Sequence, residues 1–243
     1  MLKDAVRKRV AVVEDDDDVR NLLTDVLSGY GYAVLAFSSG GEAQREIARD
    51  PPDLCIVDLG LPDMDGMTLV REFYDNLRYG VIILSGRGGV SDKVLGLEFG
   101  ADDYIAKPFE PRELVARVKS VIRRSDKLAE YRAGERRPEV RFGSWVFDIG
   151  RFALTHDDGR QEALTAAEAS LLLTLIKSSN RILSREQLQA SDVWSDDSGF
   201  ERSIDVRVSR IRKKIEVDQK QPKFIKTVYG AGYMFASDVS WLG

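Results

Sequence analysis

The sequence predicts a two-domain protein: a doubly wound α/β domain on a five-stranded parallel sheet, then a smaller domain of antiparallel strands, three helices and a terminal hairpin. Three observations carry this prediction. In the first half, short apolar runs alternate with amphipathic stretches five times. Beyond residue 138 the pattern changes to short alternating strands broken by Gly and Asp-Gly turns. The 243 residues also exceed one ordinary domain of roughly 100–200.

Taken in order, Val10 to Val13, Ala33 to Ala36, Leu54 to Val57, Val81 to Leu84 and Tyr104 to Ala106 read as strands. Between and after them helical spacing spans about Asp17 to Ser28, Gly41 to Arg49, Met67 to Asn76, Ser91 to Phe99 and Arg112 to Arg124. Pro111 suits the first turn of the last helix, whose Leu114, Val118, Val121 and Ile122 share one face. Charge-rich Ser125 to Pro138 lacks a buriable stripe and reads as a linker. The expected division is therefore a first domain over 1–125, a linker over 126–138 and a second domain over 139–238.

In the second domain, Val140 to Phe147, Phe152 to Thr155 and Gln161 to Leu164 alternate around Gly143, Gly150 and Asp157-Asp158-Gly159, predicting a small antiparallel sheet. Thr165 with Glu168, and Ser184 with Gln187, are capping-box pairs opening helices at about Ala166 to Ser178 and Arg185 to Ala190. A third helix is predicted over Glu201 to Glu216, and Phe224 to Phe235 reads as a hairpin turning at Tyr229-Gly230-Ala231-Gly232.

The composition, 43% hydrophobic and 31% charged, is that of a globular chain rather than a disordered one. Met1 to Arg9 is charged and lacks a signal peptide's apolar region, and no apolar run approaches the ~20 residues that span a bilayer, so a soluble, cytoplasmic protein without membrane contact is expected. Cys55, the only cysteine, sits in an apolar run as a core thiol. The net charge of −4 is unevenly spread. Residues 1–125 carry 17 Lys or Arg against 22 Asp or Glu, whereas Glu201 to Thr227 carries nine against four. That segment is a candidate for nucleic-acid phosphate contact.

Glu14 and Asp15 follow the first strand and Asp58 the third. In flavodoxin-like strand order these strands are neighbours, and ligands collect at their carboxyl ends. Three converging carboxylates repel one another unless a cation intervenes, and an all-oxygen site suits Mg²⁺. Ser85 follows the fourth strand and Lys107 the fifth, adding a hydroxyl and a point charge over the same edge. The set fits phosphoryl transfer to a carboxylate, with Asp58 attacking in line and Lys107 and Ser85 receiving the phosphoryl oxygens. One strand-end acid alone is more often a helix cap; five matching positions on four strand ends are not explained that way.

Val13-Glu14-Asp15-Asp16, Val57-Asp58 with Leu61-Pro62-Asp63-Met64-Asp65-Gly66, Leu84-Ser85-Gly86-Arg87, and Gly100-Ala101-Asp102-Asp103-Tyr104-Ile105-Ala106-Lys107-Pro108-Phe109 resemble the receiver domains of OmpR/PhoB-family two-component response regulators. The resemblance covers nearly the whole chain. It implies that Asp58 accepts phosphate from a sensor histidine kinase, that Asp15 and Asp58 ligate Mg²⁺ directly with Glu14 acting through water, and that Ser85 and Tyr104 form a switch pair. It further implies a homodimer on phosphorylation, through Lys93 with Glu113, Asp102 and Asp103 with Arg117 and Arg124, and Glu98 with Lys119. Gly86 departs from the frequent alanine.

In Glu201 to Glu216, Ile204, Val208, Ile211 and Ile215 recur at helical spacing as a core face, which places Ser203, Val206, Arg207, Arg210 and Lys214 outward. Such a helix can lie in a DNA major groove. The order of elements resembles the same family's winged helix-turn-helix effector. By that match Arg202, Ser203, Val206, Arg210 and Arg212 are candidates for contact with double-stranded DNA, as is Thr227 in the wing, and Lys226 beside it for the DNA backbone. Tyr229 stands where arginine is frequent. The loop Ser191 to Gly199, with Trp194, corresponds to the segment that approaches RNA polymerase in relatives; a structural Trp packing under the loop is an equal alternative.

Two other readings compete. Asp63-Met64-Asp65-Gly66 resembles the nucleophile motif of haloacid-dehalogenase-type phosphatases, but Gly60 and Pro62 put Asp63 in a loop rather than directly after a strand. A DNA-binding regulator independent of phosphate is the other. His156 has no Cys or Ser in its motif to activate and reads as a surface residue rather than a catalytic one.

Overall fold

The computed structural model describes residues 7–76, 79–86, 89–133, 138–190 and 201–242, which divide into two compact units, Met1–Ile122 and Arg123–Gly243. In the first unit, β1 (Arg9–Val13), α1 (Asp17–Gly29), β2 (Ala33–Phe37), α2 (Gly40–Arg49), β3 (Leu54–Asp58), α3 (Gly66–Asn76), β4 (Gly80–Ser85), α4 (Val90–Glu98), β5 (Asp103–Ala106) and α5 (Pro111–Ala133) follow one another. The strands pair in parallel in the order β2-β1-β3-β4-β5, so β1 and β3 are neighbours, with Val13 beside Val57.

The strands' alternate side chains divide between two cores. Ala11, Val13, Cys55, Val57, Val81 and Ile83 face Ala43, Ile47, Leu69, Val70 and Phe73 of α2 and α3. Val10, Val12, Leu54, Ile56, Ile82, Leu84 and Ile105 face Leu23 and Leu27 of α1 and Leu114, Val118, Val121 and Ile122 of α5. A strand covered on both faces has no solvated side, which is why β3 and β4 are apolar almost throughout. Cys55 is fully buried, and burial pushes its thiol pKa well up.

α5 ends nine residues after the predicted Arg124, so the expected linker is helical as far as Ala133. Its continuation, Asp126-Lys127-Leu128-Ala129-Glu130-Tyr131-Arg132-Ala133, is mostly good helix formers, and propensity extends a helix that an apolar stripe alone does not mark.

The second unit contains β6 (Glu139–Phe142), β7 (Trp145–Asp148), β8 (Ala153–His156), β9 (Gln161–Ala163), α6 (Ala166–Lys177), β10 (Ile182–Leu183), α7 (Arg185–Ala190), α8 (Glu201–Ile215), β11 (Ile225–Val228), β12 (Gly232–Phe235) and β13 (Ser240–Leu242). β13 pairs with β6 and completes an antiparallel sheet in the order β13-β6-β7-β8-β9, so the sheet extends past the expected boundary at 238. Three residues are too few for their alternation to register in the sequence. α6 and α8 pack over a core that includes Phe142, Trp145, Phe147, Leu172, Ile176, Phe235 and the predicted stripe Ile204, Val208, Ile211 and Ile215. Both capping boxes form: Thr165 with Glu168, and Ser184 with Gln187 through bonds of 2.9 and 3.2 Å.

The hairpin of β11 and β12 joins β10 in a second sheet because Gly232 approaches the backbone there. Its φ is +130°, and a Cβ would stand 2.1 Å from the Leu183 carbonyl oxygen. Gly232→Ala is therefore expected to lower the stability of this unit by about 2–4 kcal/mol, combining strain and a backbone clash. Urea denaturation followed by tryptophan fluorescence checks it, since all three tryptophans lie in this half of the sequence.

Candidate functional site

Because β1 and β3 lie side by side, Glu14, Asp15 and Asp58 meet at their carboxyl ends, with ligand oxygens from all three within 4.8 Å of one another. Backbone hydrogen bonds fix the chain at both strand ends. Glu14 N–H donates to the Phe37 carbonyl at 3.0 Å, and Asp16 caps α1 by accepting from Val19 N–H. Asp58 Oδ1 accepts from Leu59 N–H at 2.8 Å. Gly66 starts α3 against this loop, where a Cβ would lie 2.5 Å from the Asp58 carbonyl oxygen.

Lys107 reaches in from the end of β5. Its ammonium donates to Glu14 Oε1 at 2.8 Å and stands 2.7 Å from Oε2 and 3.3 Å from Asp58 Oδ2. Burial raises the Glu14 pKa, with the Asp58 charge adding to it and Lys107 opposing. Burial pulls the Lys107 pKa down, yet the Glu14 bond and the charges of Asp58 and Glu14 outweigh that and leave it raised. An ionised Glu14 thus costs folding free energy, and this cost fades as pH falls from its raised pKa toward the ordinary carboxylate value.

Three carboxylates against one ammonium leave two negative charges in a mostly buried crevice. That donor set, all oxygen and doubly negative, fits a hard divalent cation such as Mg²⁺. Ser85 is buried at the last position of β4, at this edge, whereas Tyr104 is buried within β5 beside Ile83, two residues before that strand ends.

The expected dimer residues divide. Glu98 and Lys119 are exposed, and the Lys119 ammonium lies 5.0 Å from the Tyr30 ring centroid. Lys93 is half-buried. Arg117 already pairs within the chain, with Asp103 at 2.9 Å and with Glu113 at 2.6 Å. Asp102 and Arg124 are buried and so do not present the surface charge a dimer bridge needs; the Asp102 carboxylate instead accepts from Val81 N–H at 2.9 Å, serving the start of β4.

The basic helix is corrected more strongly. Val206, Arg207 and Arg210 were expected to face outward, but are 7%, 4% and 5% exposed. Lys214 donates to the Ala163 carbonyl at 2.6 Å and to Glu168 at 2.7 Å, and Arg210 lies 3.7 Å from the same carboxylate. Arg212 turns to the hairpin, donating to the Ile225 carbonyl at 2.9 and 2.6 Å and to Thr227 Oγ1 at 2.9 Å. Helical spacing identifies a basic face but not what covers it. Lys226 and the wing residue Tyr229, 95% exposed, are open. The side chains of Arg202 and Ser203 and the whole loop Ser191 to Gly199 with Trp194 lie outside the described residues.

Sequence reasoning missed Lys213, which is exposed in the last turn of α8, and Arg20, which folds back on the β1–α1 loop. Arg20's only local signal is its place one turn into the helix that follows the acidic run. Asp63, the residue of the phosphatase-like motif, lies in the loop after β3, and its carboxylate accepts from Gly40 and Gly41 N–H at 3.0 and 2.8 Å. Those two bonds hold its pKa below the usual range.

A carboxylate trio with a lysine at the edge of a doubly wound sheet, joined in one chain to a winged-helix unit, defines a phosphoacceptor module coupled to a DNA-binding one. Comparison with known proteins agrees. Residues 10–119 match the response regulator receiver domain, and residues 159–235 match the C-terminal domain of transcriptional regulatory proteins. The chain is 39% identical over 242 residues to the transcriptional regulatory protein AruR of Pseudomonas aeruginosa, covering 97% of this chain and 99% of that one. It is 36% identical to the regulatory protein VirG of Agrobacterium fabrum, covering 96% and 91%. Among solved structures, the Thermotoga maritima response regulator DrrB, an OmpR/PhoB homologue, matches at 29% identity with a TM-score of 0.51, covering 95% of this chain and all of that one. A RitR mutant shares the fold, with a TM-score of 0.74 at 24% identity over the same shares. The chain belongs to the OmpR/PhoB family of two-component response regulators, with a flavodoxin-like receiver and a winged-helix DNA-binding domain. Among the described residues no helix is long and apolar enough to cross a membrane.

Proposed function

We propose that Asp58 accepts a phosphoryl group from a partner histidine kinase and that this promotes dimerisation and DNA binding. The observation that carries the reading is the convergence of Glu14, Asp15 and Asp58 with Lys107 3.3 Å from Asp58 Oδ2. Asp58 Oδ1 accepts from Leu59 N–H, and Oδ2 faces Lys107. Lys107 shifts from the carboxylates toward the incoming phosphoryl oxygens, and the Ser85 hydroxyl hydrogen-bonds one of them. Glu14, Asp15 and Asp58 would hold Mg²⁺, which supplies further neutralisation of the phosphoryl charge. These residues act once per transfer, on the protein itself, rather than turning over a small substrate.

The receiver extends in this reading to about residue 125, and the effector begins at 139. Lys93 and Glu98 share α4 with the exposed apolar Leu95, and exposed Phe99 caps that helix, a surface suited to a second copy of the chain. DNA contact falls to the wing, through Lys226 and Thr227, and to α8, through Arg202, Ser203 and Lys213. A gel-shift titration with and without a small phosphodonor and Mg²⁺ tests the coupling. Phosphodonor is expected to raise the affinity of wild type and leave Asp58→Ala unchanged; equal responses overturn the reading. Affinity should also fall with salt, with a slope of about −0.9 per neutralised phosphate.

A further inference from the structure

We infer that Arg20 is a positioning residue for the metal site: its guanidinium fixes the backbone of the two acids that β1 delivers, and so aims their carboxylates. The inference rests on the reading of Glu14, Asp15 and Asp58 as Mg²⁺ ligands.

Arg20 lies one turn into α1, its own N–H donating to the Asp16 carbonyl at 2.9 Å. Its side chain turns back rather than out. Nη1 donates to the Glu14 carbonyl at 2.8 Å and to the Asp15 carbonyl at 3.0 Å, while Nη2 pairs with Asp17. The side chain is 17% exposed, so this is a packed arrangement and not a surface charge pair. Glu14 is thereby held on both sides of its Cα, by Phe37 at its N–H and by Arg20 at its carbonyl. Asp15 has an exposed side chain at the start of a loop, and the bond to its carbonyl restrains the peptide that sets the carboxylate's direction.

Charge and geometry predict opposite effects here. A cation near three carboxylates repels an incoming divalent ion, so on charge alone removing Arg20 tightens Mg²⁺ binding. On positioning, removing it releases two ligand-bearing peptides and weakens binding, as loss of outer partners does at other metal sites, by roughly 10–100-fold. The two bonds to carbonyls, which hold geometry without neutralising any acid, are the reason positioning prevails.

The test is a MgCl₂ titration of the full chain followed by backbone amide shifts. Arg20→Met keeps the alkyl stem and loses the donors and charge; Arg20→Lys keeps the charge but replaces the planar fork with a point donor. Arg20→Met is expected to bind Mg²⁺ about tenfold more weakly, at the low end of the outer-shell range, and Arg20→Lys to fall between it and wild type. In the metal-free state the shifts of Asp15 and Asp16 should move in both variants while those of β4 and β5 stay in place. Equal or tighter binding by Arg20→Met overturns the inference. Should Arg20→Met not fold, Arg20→Lys decides: weaker binding supports positioning, and equal or tighter binding overturns it. A wild-type chain whose Glu14, Asp15 and Asp58 amides do not respond to Mg²⁺ would overturn the metal reading itself, a result distinct from a wild type that binds and an Arg20→Met that binds equally.

Discussion

Asp58→Asn is expected to abolish phosphoryl incorporation while making the metal-free chain more stable. An amide offers no anionic oxygen for attack, so intact-mass measurement after exposure to a small phosphodonor and Mg²⁺ should show wild type modified and the variant not. Stability moves the other way because of the charge balance at the sheet edge. Asp58 faces two other acids and one ammonium, and Lys107 keeps its closer contacts with Glu14 at 2.7 and 2.8 Å when Asp58 is neutralised. Relief of repulsion should then exceed the attraction lost, by about 1 kcal/mol, a size common for substitutions that relieve a functional site. Thermal unfolding without metal measures it. A variant that still takes phosphate with the wild-type yield would move the acceptor elsewhere.

Glu168→Ala is expected to cost the winged-helix unit about 3–5 kcal/mol, because it breaks a charge cluster by removing its fully buried carboxylate. Glu168 is 0% exposed. Its Oε2 accepts from Thr165 N–H at 3.1 Å and from Lys214 at 2.7 Å, and Arg210 stands 3.7 Å from Oε1. Truncation removes the acceptor of the capping N–H and the carboxylate that both cations face, while Lys214 keeps its bond to the Ala163 carbonyl at 2.6 Å. Against a domain stability of about 5–15 kcal/mol, this is a large share of the total. Glu168→Gln can still accept from Thr165 N–H, so its loss should be smaller by about 0.5–1.5 kcal/mol, roughly the worth of one neutral hydrogen bond. Chemical denaturation followed by tryptophan fluorescence ranks the three proteins, and phosphorylation of Asp58 should persist in both variants. Equal stability of wild type and Glu168→Ala would mean that Lys214 and Arg210 find other partners.

Much of the candidate site was legible because its residues are placed by local rules. A strand followed by acids puts those acids at the strand's carboxyl end, and the doubly wound order then makes β1 and β3 neighbours. The same holds for Lys107 after β5 and Ser85 after β4. What escaped was Arg20, since nothing in helical periodicity distinguishes a side chain that leaves the helix from one that folds back to its first turn. The outward placement of Val206, Arg207 and Arg210 failed for a related reason: periodicity divides a helix into faces but does not say which faces remain open.

By itself the sequence determined the parallel sheet and its covering helices, the capping boxes, the apolar stripe of α8 and the acids at the strand ends. All of these are consequences of spacing within a few residues, where backbone geometry is periodic. Tertiary structure decided the partners of the long charged side chains. Lys214 meets a carboxylate 46 residues away, and Lys107 meets one 93 residues away. It also decided the pairing of β13 with β6 and the closing of the acidic crevice around one ammonium. Flexible side chains and three-residue strands carry too little local preference to choose a partner; burial makes that choice, because inside the fold an unpaired charge or peptide group is far costlier than in water.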